Sequence, residues 1–91
     1  MLGSMSSLRL DRLDRVARSA PLTDEAIDRY VDWREQSLAV QALYDRWASA
    51  ASSERSGRFA AYAAALDCEE RAAERYASSI MRLTQLLWPE A

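Results

Sequence analysis

Apolar and polar positions alternate along this chain at intervals of three and four, the period of a helix that buries one stripe against another helix. Phe59, Tyr62, Leu66, Glu69, Ala73, Tyr76, Ile80, Leu83 and Leu87 form one such stripe, and the spacing predicts a coiled-coil-like seam. Tyr30, Trp33, Ser37, Val40, Tyr44, Trp47 and Ala51 form a second. No Gly or Pro falls between Asp24 and Ser56, and the polar run Ser52 to Gly57 separates the two stripes. Two seams of similar length joined by a short turn predict an antiparallel hairpin.

Local signals set the expected boundaries. Thr23 is placed to cap a helix whose first turn carries Asp24 and Glu25, with Leu22 and Ile27 at the positions of a hydrophobic staple. A long helix is therefore expected over about 24–51, and a second over about 58–88, capped by Ser53 or Ser56 and stopped by Pro89. Ahead of Pro21, Leu10, Leu13, Val16, Ala17 and Ala20 share one side of a short helix expected over about 7–19 and capped by Ser6 or Ser7. The predicted fold class is all-α: a long antiparallel helical hairpin with a short N-terminal helix, completing a four-helix or larger bundle by self-association. The chain is read as a single helical domain spanning its 91 residues.

Folding the seams together about the turn sets Trp47 by Tyr62, Tyr44 by Leu66, Val40 by Glu69, Ser37 by Ala73, Trp33 by Tyr76 and Tyr30 by Ile80. The ends are aromatic and the middle polar. Ser37, Glu69, Tyr44 and Tyr62 thus form a candidate polar layer, either a layer that specifies register or the floor of a small-molecule pocket. Beside the seams run two further stripes. Ala61, Ala65, Cys68, Ala72, Ser79 and Leu86 flank the last helix, and Ile27, Val31, Leu38 and Ala42 flank the one before it. A short N-terminal helix covers neither fully, so Ala61, Ala65, Cys68, Ala72, Ile27, Val31 and Leu38 are the candidate interface with a second chain.

Composition sharpens this picture. A domain of this size buries only roughly 60–65% of its unfolded surface, which favours completing the core by homodimerisation. The formal charge of −2 and pI of about 5.1 argue against a surface that tracks phosphates, so no nucleic-acid partner is expected. Arg9, Arg12, Arg15 and Arg18 are offset by Asp11 and Asp14, which are spaced for i,i+4 pairing with Arg15 and Arg18. All twelve basic residues are Arg, a bias of GC-rich coding genomes and hence of bacteria. The single Cys68 closes no intrachain disulfide and reads as a small core residue. No apolar run is long enough to cross a bilayer. No secretory signal pattern appears, so a cytoplasmic location is expected, with signal-independent export left open.

Chemistry is sparse. His and Lys are absent, and the glycines are Gly3 and Gly57 alone, so the usual general bases, Schiff-base groups and phosphate loops are missing. Asp67, Glu70 and Glu74 share a helix face but alternate with Arg71 and Arg75, which reads as a solvated charged surface. The expectation is no catalytic residue, no metal and no cofactor. The expected function is a protein-interaction or assembly module presenting helix faces to a partner, with the small-molecule binder around Glu69 as the alternative.

The segments Tyr30-Val31-Asp32-Trp33-Arg34-Glu35 and Phe59 through Ala73 (FAAYAAALDCEERAA) resemble small, uncharacterised helical proteins of high-GC bacteria, a likeness that implies no activity. The hairpin also resembles the substrates of type VII secretion, helical hairpins with a Trp-x-Gly turn. Trp47 lies where that family's Trp lies, near the end of the first long helix. The motif here reads Trp47-Ala48-Ser49, without the Gly, and no tyrosine-based acidic export signal follows. The resemblance implies an exported hairpin as a further alternative.

Overall fold

The computed structural model describes the backbone of residues 2–89 and the side chains from residue 9 to residue 89. Among the described residues there are two helices and no strands, α1 (Leu2–Ala48) and α2 (Arg55–Leu87), packed antiparallel. The molecule is a rod, 77 Å long and 18 by 13 Å across. The caps expected of Ser6 and Ser7 rest on side chains outside those described.

The expected break at Pro21 is absent. The helix runs through it, so the short N-terminal helix and the first long helix are one. Proline in a helix interior removes one backbone hydrogen bond and crowds the carbonyl four residues earlier, here that of Ala17. Both Ala17 and Pro21 are exposed, so that carbonyl has solvent beside it. Nearby, Ser19 Oγ donates to the Val16 carbonyl at 2.6 Å. Thr23, Asp24 and Glu25 therefore lie inside α1 and not at its start.

The connection has the expected length but lies three residues earlier, at residues 49–54. Ser49 closes α1 by donating from both its backbone N–H (3.1 Å) and its hydroxyl (2.8 Å) to the Asp45 carbonyl. A turn from Ala51 to Glu54 (2.9 Å) leads into α2, whose N-cap is Glu54 without a side-chain bond. Neither Ser53 nor Ser56 caps it. Gly57 lies within the first turn, and a Cβ there would meet nothing within 4 Å. At the far end the Trp88 N–H donates to Thr84 O at 2.8 Å. Pro89 then has no N–H with which to continue.

The expected register holds where rings report on it. Trp47 stacks on Tyr62 with centroids 5.7 Å apart, and Trp33 stacks on Tyr76 at 5.7 Å. The rotation of each helix about its own axis differs from expectation. Ala26, Ala65, Ala72 and Ser79 are the buried residues, at 5%, 8%, 3% and 1% exposure. Leu66 is 41% exposed, Phe59 49% and Ile80 38%. In α2 the seam runs through Tyr62, Ala65, Glu69, Ala72, Tyr76, Ser79 and Leu83, turned toward the stripe of small residues. The large side chains of the expected seam become its flank. Small residues let the two helix backbones approach closely, and Ser79 is accommodated because its hydroxyl donates to the Arg75 carbonyl at 3.0 Å.

Candidate protein-interaction surface

The rotation gives the hairpin two unlike flanks. On one, Tyr30 packs edge-on against Tyr76 (5.5 Å) and Tyr44 against Tyr62 (5.6 Å), while Trp47 meets Phe59 at 5.3 Å. Phe59, Leu66 and Ile80 stand at multiples of seven residues beside these rings, with Ala73 between the last two, as Tyr30 and Tyr44 do on α1 around Ser37. The result is an apolar ridge drawn from both helices, exposed at Tyr30 and Ile80 and at Tyr44, Phe59 and Leu66, with half-buried Ser37 and Ala73 between.

The opposite flank is charged. Arg82 bridges to Glu25 at 2.5 Å, with both side chains partly exposed, so the pair contributes about 0–1 kcal/mol. Around it an open cleft of about 500 Å³ is lined by Glu25, Arg29, Arg71, Glu74, Arg75, Ser78 and Arg82. Cys68 is exposed on this flank, contrary to its reading as a core residue, and Arg71 Nη2 donates to its Sγ at 3.5 Å. A smaller recess of about 140 Å³ brings Cys68 and Arg71 together with Asp32, Gln36, Ala72 and Arg75.

The residues expected to form an interface divide into two groups. Ala65 and Ala72 are buried between α1 and α2 and offer nothing to a second chain, a correction that follows from the rotation. Ala61 and Cys68 are exposed, but on the charged flank. Ile27 (56%), Val31 (48%) and Leu38 (66%) stay exposed on α1. The polar layer is also looser than expected: Glu69, Ser37 and Tyr62 are half-buried and Tyr44 is 43% exposed. Glu69 lines neither of the two clefts above, nor a further one between Arg12, Arg15, Val16, Leu87 and Trp88.

Sequence reasoning missed the apolar ridge because it assigned Phe59, Leu66 and Ile80 to the interior. It also missed the unpaired stretch of α1. The stacking register sets Leu87 opposite Leu22, so residues 9–20 extend beyond α2, about 18 Å at 1.5 Å per residue. Leu87 and Trp88, the latter 62% exposed, line a cleft with Arg12, Arg15 and Val16. Leu10 (65%), Leu13 (59%) and Val16 (60%) are exposed there, and Asp14 pairs with Arg18 at 3.1 Å.

Among the described residues, no three acidic or Cys side chains are grouped to hold a metal ion, and no helix is long and apolar enough to cross a membrane. Compared with models of known protein families, with curated proteins and with solved structures, the chain matches none.

Proposed function

We propose that this chain is a non-enzymatic protein-interaction module that presents helix faces to a helical partner, and that it also associates with itself. The observation that carries the reading is the ridge of Tyr30, Tyr44, Phe59, Leu66 and Ile80, all between 38% and 49% exposed and contributed by both helices. Large apolar side chains left exposed along one flank are a usual mark of a protein contact, and their spacing at multiples of seven residues matches the stripe of another helix. The absence of His and Lys from the sequence leaves few groups for acid–base or covalent chemistry, which favours the same reading.

The test is a paired capture from the native cell, with the parent and a Leu66→Glu, Ile80→Glu variant as baits. Both positions are partly exposed, so the variant keeps its helicity by circular dichroism. The expected result is a protein retained by the parent and lost by the variant, with direct binding then reproduced from purified components. Identical sets of captured proteins from both baits would overturn the reading.

A further inference from the structure

A different face of α1 carries a second seven-residue repeat. Leu10, Leu13, Ala17, Ala20, Asp24, Ile27, Val31, Arg34 and Leu38 recur at intervals of three and four on the side turned away from α2. Leu10, Leu13, Ile27, Val31 and Leu38 are between 48% and 66% exposed. Leu10 and Leu38 each lie fourteen residues from Asp24, and Ala17 and Val31 each lie seven. Run antiparallel to a copy of itself, it sets Leu10 against the partner's Leu38, Ala17 against the partner's Val31, Ala20 against the partner's Ile27, and Asp24 against its own copy. Val16 then falls beside the partner's Tyr30.

We infer that this stripe is the interface of a two-fold symmetric homodimer in which α1 packs antiparallel on the partner's α1 about Asp24. The pairing covers the part of α1 that α2 meets only through its last residue, Leu87, since residues 9–20 of each chain lie along residues 28–39 of the other. Charge follows the same division. Residues 9–20 carry four Arg against two Asp, whereas the facing residues 28–39 carry three carboxylates against two Arg, so the facing segments differ in the sign of their net charge. Asp14 lies near the partner's Glu35, but Arg18 already neutralises it at 3.1 Å. Arg34 lies opposite the partner's Leu13, which its aliphatic stem can cover while its head reaches water. Self-complementarity of one patch is what a two-fold axis requires.

The inference shares with the proposed function the idea that exposed helix faces dock. It uses another face, so the two fail separately: the ridge variants report on the partner and the α1 variants on the dimer. Sedimentation equilibrium of the purified full chain at tens of micromolar should give twice the chain mass. Leu38→Glu and Leu10→Arg should each weaken the dimer by at least about tenfold, because each places an unpaired charge in the seam. Both side chains face solvent in the single chain, so both variants stay helical. An equimolar mixture of the two variants should restore the dimer. One of its symmetry-related contacts keeps both leucines, and the other brings the introduced carboxylate to the introduced guanidinium. Asp24→Leu should tighten the parent dimer by about tenfold through removal of a like-charge contact at the axis. A monomeric parent, a dimer insensitive to these substitutions, or a mixture no tighter than either variant alone would each overturn the antiparallel α1 pairing.

Discussion

Ala65, Ala72 and Ser79 decide how closely α1 and α2 approach, because they are the buried side chains that α2 turns toward α1 and none is larger than a hydroxymethyl group. Enlarging one of them should push the helices apart. Ala72→Leu is expected to destabilise the chain by about 1–3 kcal/mol through overpacking, whereas Leu66→Ala removes a side chain that is 41% exposed and should cost less than the roughly 2–5 kcal/mol typical of a buried leucine. Urea unfolding of the pair gives the order directly; a larger loss for Leu66→Ala would put Leu66 back in the interior. Trp33 poses a different question. Its Nε1 is the buried side-chain polar atom that lacks a hydrogen-bond partner among the described residues, while its ring stacks on Tyr76. An unpaired buried donor costs roughly 1–3 kcal/mol. Trp33→Phe exchanges lost contact area for removal of that donor, and stability should change by less than about 1 kcal/mol. A loss well above that would mean that a water satisfies the indole.

At the level of the elements, the register was legible in the sequence and the rotation was not. Trp33, Trp47, Tyr62 and Tyr76 belong to the expected seam and to the observed one, so matching them fixed which residues lie level. The choice of neighbouring row was made by hydrophobic size, which favours Leu66 and Ile80 over Ala65, Ala72 and Ser79. Close backbone approach favours the opposite row, and a single helix pattern carries no sign of which consideration wins. The continuity of α1 was hidden for a similar reason. Pro21 followed by Thr23, Asp24 and Glu25 is a strong local stop-and-start signal, and the structure overrides it. Two substitutions separate these cases. In a continuous helix Pro21→Ala should stabilise by up to about 3 kcal/mol, and Thr23→Ala should be neutral or slightly favourable, whereas loss of a true N-cap costs about 1 kcal/mol. Circular dichroism melts report both; destabilisation by Thr23→Ala would restore the break. Gly57 offers a check on α2. It has helical surroundings and open space for a methyl group, so Gly57→Ala should raise stability by about 0.5–1 kcal/mol in the same melts. No gain would place the start of α2 after Gly57.

Over the whole rod, protection against unfolding should be divided and not uniform. The hairpin part of α1 from Ala26 to Trp47 leans on α2 throughout, with an aromatic cluster at each end: Tyr30, Trp33 and Tyr76 at one, and Tyr44, Trp47, Phe59 and Tyr62 at the other. Residues 9–20 have only Leu87 and Trp88 beside them within the chain, and a free helical stretch shorter than about 12–15 residues is marginal in water. Amide hydrogen exchange on the Leu38→Glu variant, which the antiparallel pairing predicts to be monomeric, should therefore show a step along α1. Slow exchange is expected from Ala26 to Leu43, and exchange close to that of an unstructured chain from Asp11 to Arg18, with the change near Leu22, the residue opposite the last turn of α2. In the parent, the partner's residues 28–39 would lie along this stretch, and its protection should rise with protein concentration while that of the hairpin stays constant. Uniform protection along α1 in the monomeric variant would mean that the stretch beyond α2 is stable alone, and the need to cover it would cease to be an argument for association.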